Sequence, residues 1–254
     1  MNLDTKAENT WCPGCGNFAI MNAAKNAFKE LIENRMPKEN IVITSGIGCH
    51  AKIVDYINLN SFYSLHGRTV PPLVGMKIAN KDLTVVGFSG DGDSFDEGIA
   101  HLIHAAKRNV DITMIIHNNN VFALTLGQKT ATSPKGTKGK STPRGSLDEP
   151  LNPVKMMLAS GATFVARGYA GNISHLKTLI KKAIQHKGFS FVEVLQPCVI
   201  FNNSYQKLSK SVYDMNKKGY KPNDINSAMK KSEEINGKIP IGIFYKTKKA
   251  CFEV

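Results

Sequence analysis

Two stretches of the chain, IVITSGIGCH (41–50) and DLTVVGFSGDGDSF (82–95), share one pattern: an apolar, β-branched run that ends in a glycine turn. A strand without a polar side must be buried on both faces, and sheets of such strands are parallel, with helices above and below. VDITMIIHNNN (110–120), ATFVARG (162–168) and FSFVEVL (189–195) repeat the pattern. Between them NFAIMNAAKNAFKELIE (17–33), DEGIAHLIHAAKRN (96–109) and ISHLKTLIKKAIQHK (173–187) space their apolar residues as helices do, and a further helical pattern runs from 153 to 160. The spacing predicts an α/β fold on a doubly wound parallel sheet. Ligands of such sheets gather at the C-terminal strand ends. Those ends carry Gly46–Cys49, Gly90–Asp93, His117–Asn120 and Gln196–Cys198.

Residues 127–153 have no periodicity and are rich in Gly, Pro, Thr and Lys, the composition of a functional or mobile loop. The chain divides into a domain over 1–205 and a Lys-rich extension over 206–254. The extension has one helical stretch (224–236) and a final IPIGIFYK, and it is expected to lie outside the main sheet. No apolar run reaches the ~18–20 residues that span a bilayer, and the polar N-terminus has no signal-peptide core. Five cysteines, an odd number, argue for a reducing compartment and against a disulfide framework, so a cytoplasmic location is expected. The net charge is +13, yet the lysines are scattered and no nucleic-acid motif is present. Neither nucleic acid nor a membrane is therefore expected as a partner. An acidic protein, a polyphosphate cofactor or a merely solvated surface each accounts for the charge.

Gly90-Asp91-Gly92 ends one strand, and Asn119-Asn120 ends the next, 26 residues further on. The logic is that of a divalent cation on a diphosphate. A carboxylate, a side-chain amide and a turn carbonyl supply hard oxygens, and phosphate oxygens complete an octahedron for Mg²⁺. Glycines allow close backbone approach, and a helix N-terminus favours the anion. WCPGCG (11–16) adds a C-x-x-C pair, half of a metal or cluster site or a redox dithiol. Four thiolates suit an iron–sulfur cluster or structural zinc equally well by spacing.

GDG-x26-NN resembles the signature of thiamine-diphosphate enzymes. The wider set CPGCG, GIGC, HGR, SGDGD, NNNVFALTLGQ, SP and LQPC is similar to the β subunit of 2-oxoacid:ferredoxin oxidoreductases, from Trp11 to about Phe201 and more weakly to KIPIGIFYK. The resemblance implies a thiamine-diphosphate-binding fold with Mg²⁺ on Asp91, Asn119 and the carbonyl of Val121. HNNN leaves the register between Asn118 and Asn119 open. It implies a [4Fe–4S] cluster on Cys12, Cys15, Cys49 and Cys198, with Cys251 incidental. Gly90, Gly92 and Asp93 would line the diphosphate. Gly48, Cys49, His66, Gly67 and Arg68 would flank the cofactor or reacting carbon, with His66, Arg68 and Lys52 as catalytic candidates. Lys52 would meet a substrate carboxylate, and Leu124 would cover the substrate pocket. The implied reaction is CoA-dependent oxidative decarboxylation of a 2-oxoacid, pyruvate or 2-oxoglutarate, with ferredoxin as acceptor and either direction allowed. The basic tail is a candidate docking region for ferredoxin. In the family a glutamate that activates thiamine lies on a second domain. Too few residues remain here for one, so an α-type partner subunit is expected.

A non-redox thiamine decarboxylase is disfavoured because it has no use for four placed cysteines, and a zinc-stapled binding protein because of GDG–NN. GIGCHA also fits a dinucleotide fingerprint, but no acid lies between Tyr56 and Lys81 to hold the ribose. His101 and His104 share a helix face without a carboxylate partner and read as packing or surface residues.

Overall fold

The protein is described by a computed structural model over residues 1–235 and 237–252. Its strands are β1 (Ile41–Ser45), β2 (Asn60–Tyr63), β3 (Thr84–Gly90), β4 (Thr113–Asn118), β5 (Phe164–Tyr169), β6 (Ser190–Leu195), β7 (Val212–Asp214) and β8 (Ile239–Lys246). They form a sheet in the order β2-β1-β3-β4-β6-β5-β8-β7, in which every neighbouring pair is parallel except β5 and β8. The helices are α1 (Gly16–Glu33), α2 (Ile53–Tyr56), α3 (Val70–Ala79), α4 (Ile99–Arg108), α5 (Pro153–Ala159), α6 (Ile173–Ile184), α7 (Tyr205–Ser211) and α8 (Ile225–Ser232).

The apolar strands are explained by two separate cores. Ile115 of β4 packs into the layer under α1 and α6, with Ile20, Phe28 and Ile180. Its neighbours Met114 and Ile116 pack into the opposite layer, with Leu73 of α3, Leu102 of α4 and Met157 of α5. Successive side chains of a strand point to opposite faces, so a strand covered twice is apolar throughout. Each such side chain contributes about 1.5–3 kcal/mol by leaving water. The chain leaves β1 toward β2 on one side and returns as β3 on the other. The connections thus diverge at the β1/β3 boundary and open a crevice at its C-terminal end.

One expectation is corrected. The residues after 206 do not all lie outside the sheet, because β8 pairs antiparallel with β5 and buries Phe244 completely. IPIGIFYK is nearly as apolar as the central strands, and the uncovered edge of β5 gives it somewhere to pair. The helix expected over 224–236 ends at Ser232, and residue 236 lies outside the described residues. Among the described residues no helix is long and apolar enough to cross a membrane.

Arg167 of β5 and Glu193 of β6 form a buried ion pair, Nε to Oε2 at 2.6 Å, with the guanidinium 5.3 Å from the centre of the Phe244 ring. Removing one partner strands the other charge in the core, at a cost of about 3–5 kcal/mol. Arg167→Met should therefore lower the urea midpoint sharply. A loss below ~1 kcal/mol would show that the pair carries no such burden.

Candidate active site

The crevice at the β1/β3 boundary is a cleft of about 490 Å³. β3 delivers Asp91 into it, and Gly92–Glu97 continues as a π-helical turn, an irregularity found frequently at functional sites. Asp91 is buried, and its Oδ2 accepts the hydroxyls of Thr130 at 2.6 Å and Thr132 at 2.7 Å. Both threonines come from the aperiodic loop, which is thereby folded down onto the site. Burial pushes the Asp91 carboxyl up to about 6, against the pull of those hydroxyls and of the Asn119 amide. A buried carboxylate in that condition gains from a cation.

The end of β4 separates the three asparagines. Asn118 turns into the sheet, where Nδ2 donates to Glu193 at 2.7 Å and Oδ1 accepts Thr132 at 3.0 Å. Asn119 lines the cleft, and its Oδ1 accepts the amide of Val121 at 3.0 Å. Alternation along the strand is the cause. Asn119 is thus the asparagine that shares the cleft with Asp91.

Asp93 serves a different purpose from Asp91. Its Oδ1 accepts the amides of Gly67 at 2.7 Å and Ile47 at 3.2 Å, and its Oδ2 accepts Ser89. His50 Nε2 stands 3.6 Å from Oδ2, and His66 Nε2 stands 3.9 Å from Oδ1. Burial alone would raise the Asp93 carboxyl, but His50, the Gly67 amide and Ser89 outweigh it and bring it down to about 2. This anion ties the turn after β1 to the turn before α3. A Cβ on Gly46 would stand 1.9 Å from the Asp93 carboxylate, so only glycine fits there.

The four cysteines meet in a second cavity of about 470 Å³. Cys12 and Cys15 precede α1, Cys49 follows β1, and Cys198 follows β6. Trp11 Nε1 donates to the Cys49 carbonyl at 2.7 Å and fastens the C-x-x-C segment to the β1 turn. Asn202, paired through its backbone with Cys198, donates Nδ2 to the Asn119 carbonyl at 2.9 Å. Burial pushes the Cys15 thiol up to about 11 and raises Cys49, and the neighbouring cysteines push both further. Positive charge beside Cys15 and Cys49 would favour their thiolates against that burial. Among the described residues no three His, Cys, Asp or Glu side chains are placed to hold one metal ion.

The cleft brings together most of the residues foreseen from sequence. Gly48, Cys49 and His66 line one side, and Gly90, Asp91, Gly92 and Asp93 the floor. Asn119, Val121 and Leu124 line the other side, with Leu124 half exposed at the rim. Gly67 acts through its amide on Asp93. Arg68 is not among the lining residues, and its guanidinium lies 3.4 Å from the carbonyls of Gly67 and Glu97. Lys52 lines the thiol cavity instead, donating Nζ to Thr10 at 2.7 Å.

Sequence reasoning missed His50, Phe122, Thr130 and Thr132, and it placed His117 and Gln196 at strand ends without giving either a role. His117 is the penultimate residue of β4. Its Nδ1 meets Asn17 Oδ1 at 2.8 Å, and burial holds the imidazole well below its usual range, so it is neutral. His117 Nε2, left as an acceptor when Nδ1 carries the proton, is buried without a partner beside the cleft, a deficit of about 1–3 kcal/mol that an N–H or O–H of a ligand would relieve.

Residues 46–194 match the thiamine pyrophosphate enzyme C-terminal TPP-binding domain, and residues 198–254 match the C-terminal region of the pyruvate ferredoxin oxidoreductase beta subunit. The 2-oxoacid:ferredoxin oxidoreductase subunit beta of Saccharolobus solfataricus is 43% identical over 251 residues, covering 93% of this chain and 81% of its own length. The chain belongs to the family of 2-oxoacid:ferredoxin oxidoreductase β subunits. Within that family, the 2-oxoglutarate synthase subunit KorB of Methanocaldococcus jannaschii is 40% identical, with 95% of this chain and 89% of that protein covered. A solved 2-oxoglutarate:ferredoxin oxidoreductase from Magnetococcus marinus, with 2-oxoglutarate, coenzyme A and succinyl-CoA bound, superposes with a TM-score of 0.94 at 33% identity, covering 98% of this chain and 85% of that one. The β-subunit match over 198–254 includes β8, in keeping with its place in the sheet.

Proposed function

We propose that this β subunit holds thiamine diphosphate with Mg²⁺ in the cleft and a [4Fe–4S] cluster in the thiol cavity, and that it serves CoA-dependent oxidative decarboxylation of a 2-oxoacid. One observation carries the reading: the two cavities share Cys49, Asn119, Ala123 and Gln196 as a common wall. Groups bound in the two cavities would face each other across these four residues. When bound, thiamine diphosphate supplies a carbon nucleophile and electron sink, and a cluster takes electrons singly.

The chain's own residues position these groups. Asp91, Asn119 and the Val121 carbonyl supply the hard oxygens for Mg²⁺. Thr130 and Thr132 hold the Asp91 carboxylate in one orientation. His66 sits beside Phe122, ring centres 6.0 Å apart, at the flank of the cleft. Lys52 turns its ammonium to Thr10 in the thiol cavity, beside Cys49, and not into the cleft. For pyruvate the balance is 2-oxoacid plus CoA giving acyl-CoA, CO2, one proton and two electrons, the electrons leaving one at a time to ferredoxin. Pairing with an α-type subunit completes the enzyme. The +13 charge suits an acidic ferredoxin, and an odd set of five cysteines suits a reducing, cytoplasmic setting.

Co-production with an α-type subunit should give 2-oxoacid-dependent ferredoxin reduction, absent from the β chain alone. The KM for ferredoxin should rise several-fold between about 20 and 300 mM salt as charges are screened. Full activity of the β chain alone, or no reduction with either 2-oxoacid in the complex, contradicts the proposal.

A further inference from the structure

Gln196 is 2% exposed and belongs to the wall between the cavities. Its backbone amide donates to the Asn118 carbonyl at 2.9 Å, which fixes the main chain beyond β6 against the end of β4. Gly16, the first residue of α1, presses on the side chain so closely that a Cβ there would stand 2.6 Å from Gln196 Cγ. The amide has little room to swing. Its Nε2 donates to Cys15 Sγ at 3.6 Å.

We propose that Gln196 is a positioning residue for electron transfer, setting the reduction potential of the group on the four cysteines through its hydrogen bond to Cys15. The inference rests on the cluster reading above. An N–H directed at a ligand sulfur stabilises the state with more negative charge, which is the reduced one, and so raises the potential. The donor approaches from the wall shared with the thiamine cleft, the side from which electrons arrive. Each step moves one electron, from the substrate carbon that has lost CO2 and onward to ferredoxin. Gln196 makes and breaks no bond and transfers no proton.

The test is an anaerobic redox titration of the holoprotein, followed by electron paramagnetic resonance, with iron content measured on the same samples. Gln196→Met keeps the length and loses the donor. Gln196→Asn keeps the amide but falls one methylene short. Both should shift the midpoint to more negative values at full iron content. The expected change is about tenfold in the reduction equilibrium, or ~59 mV for one electron. An unchanged midpoint in either iron-replete variant overturns the proposal. Loss of iron from both also overturns it, because Gln196 would then hold the site together rather than tune it. Wild-type protein without a four-iron signal overturns the cluster reading itself, and this inference with it, and so is told apart from a failure of Gln196 alone.

Discussion

Asp91→Ala should abolish Mg²⁺-dependent binding of thiamine diphosphate while leaving the iron content unchanged. Outer-shell partners of a metal typically cost 10–100-fold in affinity when removed, so loss of a direct carboxylate ligand should exceed about 100-fold. Isothermal titration with Mg²⁺ and the cofactor measures it. Normal binding would remove Asp91 from the site. The folded protein holds the Asp91 carboxyl at about 6, above the usual 3.8. The stability from its bound proton is complete below pH ~4 and is lost as pH rises through about 6. In the metal-free protein the loss amounts to ~3 kcal/mol by pH 7.5. Mg²⁺ takes the proton's place. Asp91→Asn cannot ionise, so without metal it should melt several degrees above wild type at pH 7.5 and match it near pH 4. Equal melting at pH 7.5 would show that the buried carboxylate costs nothing.

The second large effect concerns iron. Cys12→Ser and Cys198→Ser should each lose the four-iron signal and, in the complex, ferredoxin reduction. Cys251→Ser should keep both. Cys12 and Cys198 line the thiol cavity at the C-terminal strand ends, whereas Cys251 lies in another cavity with Lys81, Asp111 and Lys187. Equal iron in all three variants would sink the ligand set.

The central fold was legible because burial on both faces gives β3, β4 and β6 apolar side chains toward both layers and no polar face. The edge strand β2 was not. Asn60, Ser61, Phe62 and Tyr63 are all exposed, so NSFY carries no pattern of burial to read. β8 was misplaced because its alternate pairing partner, the edge of β5, is a tertiary fact that local sequence does not encode. Asp91, Asn119 and the four cysteines were singled out because they stand in spaced motifs, and the structure brings them to two adjoining cavities. Thr130 and Thr132 were not, since a hydroxyl in an aperiodic loop looks the same whether it faces water or a buried carboxylate. Lys52 and Arg68 show the remaining limit. Both flank a motif, but sequence cannot say into which cavity a long side chain turns.

The most direct measurement is metal analysis and absorption spectroscopy of the wild-type chain purified without oxygen, with cofactor binding assayed on the same sample. The account predicts about four irons per chain, a broad brown shoulder near ~400 nm and Mg²⁺-dependent binding of thiamine diphosphate. A colourless protein carrying one zinc per chain would contradict it.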